Sequence, residues 1–223
     1  QVTHPDNPGR GFQNGFTGTH GNMHYQWIGR LTLKQGRLLN CTYFAEYAEG
    51  AKHRDQTFDN PLLDDWPHFK SGWPNLNTTR VEPHGLAIDA KGNVYVSAKG
   101  RRVITTSNAY QQMPSPLKKG TRGQWSDFVR VYTPGLTTLR YSSLLHGKWD
   151  WDTGKGGSPV DLGVVVPVED GLVVVGTADV GKDSDKPEGD DMPVSNVPDW
   201  GQPTRHGRAG VVGRLTFDKQ RPR

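Results

Sequence analysis

The chain is predicted to be all-β, assembled from short antiparallel strands that recur as hairpins. Three observations predict this. Among 223 residues, 28 Gly and 16 Pro interrupt the backbone too often for long helices and call for many turns. Apolar residues alternate or fall in short β-branched runs, with almost no helical period. Two strand-turn-strand patterns return along the chain, as they do in repeat folds. Hydrophobic residues are only 33% of the total, yet seven Trp, seven Tyr and seven Phe supply enough apolar area for a core and exclude a disordered chain.

Taken in order, residues 1–47 read as a partial repeat. Gly11 to Gly18 looks like a strand whose hairpin partner is missing. Ile28-Gly29-Arg30-Leu31-Thr32-Leu33 then alternates apolar residues around an arginine. A turn at Lys34-Gln35-Gly36 follows, and a second strand at Leu38 to Tyr43. Residues 48–82 are a polar insertion.

A full repeat spans 83–146. It opens with Gly85-Leu86-Ala87-Ile88, a polar turn closed by Gly92, and Val94-Tyr95-Val96; such a turn between apolar runs is a hairpin signal. Its second hairpin is Phe128-Val129-Arg130-Val131-Tyr132-Thr133, a turn at Pro134-Gly135-Leu136, and Thr138 to Ser143. The last repeat spans 160–218. Gly163-Val164-Val165-Val166, the turn Gly171 and Leu172-Val173-Val174-Val175 repeat the first hairpin, and Val212-Gly213-Arg214-Leu215-Thr216-Phe217 repeats the arginine strand.

Two hairpins per repeat make a four-stranded antiparallel sheet, the blade of a β-propeller. Such a sheet buries both faces only against neighbouring blades. The chain then holds about two and a half to three blades of an incomplete propeller, against about four to eight in closed ones. Arg30, Arg130 and Arg214 fall at the centre of the third strand in each copy. One arginine per blade that pairs a carboxylate or caps carbonyls explains them better than a ring of cationic ligands.

These residues carry a resemblance. Gly85 to Asp89, Gly92 to Val96, Thr105 to Gln111, Asp127 to Val131 and Leu139 to Gly147 together resemble the bacterial seven-bladed β-propeller repeat of the SBBP type. The likeness covers one repeat well and two partially, about half of the chain. It implies a propeller architecture in a large secreted, periplasmic or envelope-associated bacterial protein. It transfers no catalytic residue.

The charge of +4 comes from scattered Lys and Arg, a solvated surface rather than the dense basic stripe of a nucleic-acid binder. No stretch is long and apolar enough to span a bilayer. The chain begins at Gln1, as a processed terminus would, although a boundary set in the laboratory would look the same. Cys41 is the single cysteine; it forms no internal disulfide and reads as a buried, inert strand residue.

Candidate sites fall on the long polar segments, since loops of this length usually bind something or pack on a neighbour. Trp149-Asp150-Trp151-Asp152 and Asp64-Asp65-Trp66 combine rings that stack on sugar faces with carboxylates that accept hydroxyl protons. His84, just before the first hairpin, is a candidate ligand-binding residue facing a central channel, although a structural hydrogen bond explains it better. Asp183, Asp185, Glu188, Asp190 and Asp191 offer alternating oxygen ligands suited to calcium, without the glutamate that completes an EF-hand loop. His20 and His24 have helical spacing, but the glycines around them argue against a helical zinc site. No nucleophile elbow, P-loop or dinucleotide fingerprint occurs. The expected function is a non-catalytic binding or scaffold module that presents loops to a partner protein or carbohydrate. It would be completed by the rest of a larger polypeptide or by another subunit, with no cofactor beyond calcium. A carbohydrate-active enzyme using the loop carboxylates is the alternative, and an accessory subunit of a redox complex a third.

Overall fold

The computed structural model describes residues 11–12, 26–44, 82–100, 103–112, 126–145, 149–150, 155–156, 160–180 and 207–217. Within them the chain is all-β and every strand pair is antiparallel. No helix occurs among the described residues. The strands are β1 (Gln26–Leu31), β2 (Leu38–Phe44), β3 (Glu82–Ile88), β4 (Val94–Gly100), β5 (Ser126–Tyr132) and β6 (Leu139–Leu145). They continue with β7 (Trp149–Asp150), β8 (Lys155–Gly156), β9 (Val160–Val168), β10 (Gly171–Val180) and β11 (Gly207–Thr216).

The repeat expected at 83–146 forms one four-stranded sheet in the order β3-β4-β5-β6. The other sheets differ from the expectation of four-stranded units. β1 pairs only with β2, and β9 to β11 form a three-stranded sheet among the described residues. β7 and β8 make a short hairpin by themselves. The segment 103–112 runs along the outer edge of β6, where Thr106 N–H donates to Ser142 O and Leu144 N–H to Gln111 O. That edge is therefore covered, as exposed strand edges generally are.

Side-chain alternation explains why β4 and β5 of the middle sheet are buried on both faces, while Leu86 and Ile88 of β3 stay exposed on the face toward β1–β2. Val94, Val96, Ala98, Phe128, Tyr132 and Leu144 pack with Phe12 and, from β1, Ile28. On the opposite face, Tyr95, Val129, Val131, Tyr141 and Leu145 pack against Leu162, Val165, Leu172, Val174 and Leu215 of the β9–β11 sheet. Three sheets thus lie in a stack, with β3–β6 in the middle.

The spacing between β3–β6 and β9–β11 is graded. At the first strands, a Cβ added to Gly85 would lie 2.6 Å from Gly163 O, so only a glycine fits. At the outer strands, the rings of Tyr141 and Phe217 meet at 5.0 Å between centroids. Small residues inside and large ones outside make the two sheets diverge from their first strands.

The arginine motif is not structurally equivalent in its three copies. Hairpins β1–β2 and β5–β6 share one turn design. Thr32 N–H donates to Arg37 O and Thr133 N–H to Thr138 O, while each threonine Oγ1 accepts from the same partner's N–H. Leu31 pairs with Leu38 and Tyr132 with Leu139, each followed by a bulge. In that shared frame Gly29, not Arg30, corresponds to Arg130. A one-residue offset reverses the face. Arg30 accordingly sits on the side of β1 that meets the middle sheet and donates from Nη1 to Pro134 O at 2.6 Å. Arg130 points back toward β1–β2, fully buried, with its Cζ 4.9 Å from the Phe128 ring centroid. Arg214 faces away from the middle sheet and pairs with Asp170 at 2.6 Å. A ring of three equivalent arginines does not exist here.

Candidate functional site

The two larger sheets have their short turns at one end and their long connections at the other. Asp89–Asn93, Thr133–Thr138 and Glu169–Asp170 close hairpins at the turn end. The segments 101–125, 146–159 and 181–206 join strand ends at the opposite, loop end. Residues from both sheets meet there.

The Asp89 turn is organised mainly by neighbouring residues. Asp89 Oδ1 accepts from the backbone N–H of Lys91 at 2.9 Å and of Asn93 at 2.8 Å. Its Oδ2 accepts from Asn93 Nδ2 and Tyr95 Oη. Gly92 supplies the positive φ of +80° that this turn requires. Partial desolvation raises the Asp89 carboxyl, but the bonds from Asn93, Tyr95 and Lys91 outweigh it and hold the group below its ordinary value. The same pair, through burial first and the neighbouring carboxylate second, pushes the Tyr95 phenol up to about 12.

The loop end is organised over long sequence separations. β3 carries a bulge there: Pro83 pairs with Ala98 and Gly85 with Ser97, which leaves His84 as the extra residue. Bulges commonly re-aim a side chain. His84 Nδ1 lies 3.5 Å from Asp127 Oδ1. Asp127 is 1% exposed and its Oδ1 accepts from the Leu162 N–H of β9 at 2.9 Å. Lys99 Nζ donates to Asp161 Oδ1 at 2.6 Å and stands 4.0 Å from Asp127 Oδ2. A buried carboxylate needs such compensation from cations and amide donors. The cluster joins three strands of the middle sheet to the first strand of the next.

Of the residues singled out by sequence, His84 is placed in this cluster. Trp149 and Asp150 form β7 and pair with Gly156 and Lys155. Trp151, Asp152, Asp64, Asp65 and Trp66 lie outside the described residues, as do Asp183, Asp185, Glu188, Asp190 and Asp191. No group of three or more His, Cys, Asp or Glu among the described residues is placed to hold a metal ion. Cys41 is half-buried rather than buried.

Sequence reasoning missed Lys99, Asp127 and Asp161. One signal was present. Asp127 alternates with Val129 and Val131, so strand period alone places its carboxylate on an inward face, where a charge requires a partner. Its neighbour Lys99, and the Asp161 that Lys99 bonds, belong to other strands and carried no local mark.

The described residues define an antiparallel all-β protein of stacked sheets, with a polar cluster at the end from which its long connections leave. The chain matches no protein-family model, no curated protein and no solved structure.

Proposed function

We propose that the chain is a binding or scaffold module built from propeller-type blades, taking a partner protein or a carbohydrate at the loop end of its sheets. The observation that carries this reading is the segregation of connections. The short turns satisfy themselves, while the long segments all leave from the end that holds His84, Lys99, Asp127 and Asp161. A rigid sheet with variable loops at one edge is the common platform for recognition. Trp149 and Asp150 follow β6 at this same end, and aromatic rings beside carboxylates suit sugar faces and hydroxyls. The divergence of the sheets from Gly85 and Gly163 to Tyr141 and Phe217 supports the blade reading, since blades fan out from an axis. The proposed setting is a secreted, periplasmic or envelope-associated bacterial protein, in which calcium would be held by Asp183, Asp185, Glu188, Asp190 and Asp191.

The test is a binding screen on immobilised polysaccharides and on cross-linked partner proteins, with paired variants. Trp149→Ala with Trp151→Ala should weaken the captured ligand at least about tenfold, the loss of a stacking hot spot. Lys91→Ala, at the turn end, should leave binding unchanged. Equal binding by both variants, or loss in Lys91→Ala alone, would contradict the proposal. Cleavage of any polysaccharide in the same screen, abolished by Asp150→Asn or Asp152→Asn, would replace it with an enzymatic reading.

A further inference from the structure

Both ends of the three-sheet stack present apolar side chains to solvent. On the β9–β11 sheet, the face turned away from the middle sheet carries Val164, Val166, Val175 and Val212, with Val212 73% exposed. On the β1–β2 sheet, the face turned away carries Trp27 and Leu31, 47% and 57% exposed. Stacked-repeat proteins normally close their ends with polar faces. Neither end sheet does so.

The two open faces also have opposite roles in the stack. Gly29-Arg30-Leu31-Thr32 of the first sheet recurs unchanged as Gly213-Arg214-Leu215-Thr216 of the last. In the first sheet this arginine faces forward and bonds Pro134 O on the turn of the following sheet. Arg214 faces forward too, yet no following sheet stands there among the described residues. The forward face of β9–β11 is therefore built like one that elsewhere receives a sheet. Among the described residues, backward faces stay open on β1–β2 and along β3, at Leu86 and Ile88, and only that of β1–β2 ends the stack.

We infer that a second copy of this chain covers the valine face, docking its β1–β2 sheet there head-to-tail. Charge favours the match. If the sheets stack with their turns at the same end, as β3–β6 and β9–β11 do, Lys34 and Arg37 of the β1–β2 turn come beside Glu169, next to the existing Arg214–Asp170 pair. Trp27, folded across Gly29, supplies a large side chain against a surface of valines. The contact is heterologous, so repetition gives a ring if it closes and a chain of copies if it does not.

Sedimentation velocity on the 223-residue chain tests this from micromolar to near-millimolar concentration. The wild type should move from the single-copy mass of 24.7 kDa to twice that or more. Val212→Lys blocks one face and Leu31→Lys the other, and each alone should fall back to single copies or weaken association at least tenfold. An equimolar mixture of the two should recover a two-copy species, because each variant keeps the face the other has lost. Circular dichroism confirms that the variants keep their β signal, and Val164→Lys with Trp27→Lys replaces either one that does not. A wild type that stays at one copy throughout overturns the inference. So does association that survives Leu31→Lys, which would mean two valine faces pairing with each other. Neither result touches the loop-end binding proposal, which is read with different variants.

Discussion

The turn end and the loop end of the same two sheets are held by different kinds of interaction. At the turn end, Asp89 gathers four hydrogen bonds from residues no more than six positions away, and Thr32 and Thr133 each close their own hairpin. At the loop end, Lys99 reaches Asp161 across 62 positions and Leu162 reaches Asp127 across 35. Local bonds fix a turn whatever the sheets do. Long-range bonds exist only when the sheets are stacked, so the loop end reports the stacking of β3–β6 on β9–β11, while at the turn end the bond from Arg30 to Pro134 O reports the docking of β1–β2.

Substitutions should separate the two. The largest effect is expected at Asp127→Ala, which leaves the Leu162 N–H without its acceptor at a buried site and takes the carboxylate from beside His84 and Lys99. A loss of about 3–5 kcal/mol should be measured by urea unfolding. Gly85→Ala comes next. Its new methyl would meet the backbone oxygen of Gly163, which cannot swing aside. A loss of about 1–3 kcal/mol should accompany faster amide exchange in both β3 and β9.

Asp89→Ala at the turn end should cost less, about 1 kcal/mol, and spare the stacking. Its pH dependence has a definite sign. A carboxyl held below its ordinary value stabilises the fold above that value and loses the contribution as pH falls through the depressed one. The gap between wild type and Asp89→Ala should therefore close in acid. Tyr95 behaves oppositely. Its contribution is complete below the ordinary phenol value of 10 and is lost as pH rises toward about 12. Tyr95→Phe should weaken the alkaline loss and leave the share of Tyr110, Tyr132 and Tyr141, whose phenols burial also raises. Asp170→Asn, at an exposed pair with Arg214, should leave the melting temperature unchanged, since such pairs contribute little.

What the sequence makes legible follows the same division. The hairpins β3–β4, β5–β6 and β9–β10 are readable because their turns carry local marks, Gly92 and the β-branched runs among them. The stacking partners are not. Asp127 announces a buried charge by its place in the alternation, yet nothing near it names Lys99 or Leu162. The arginine strands mislead for a related reason. Arg130 matches Arg30 in the string of letters, but it stands three residues before its turn threonine and Arg30 only two, so the true register lies one residue away. A shift of one is invisible to pattern and decisive for a face. His84 was found through its position before a hairpin, and the bulge that aims it at Asp127 needed the pairing of both strands.

Hydroxyl-radical footprinting with and without the captured polysaccharide or partner protein addresses the binding end most directly. Protection should appear at His84, Lys99 and the Trp149 hairpin, while Lys91, Pro134 and Glu169 remain as reactive as in the free chain. Protection centred on those three turn positions, with His84 and Trp149 unchanged, would place recognition at the wrong end of the sheets and contradict the account.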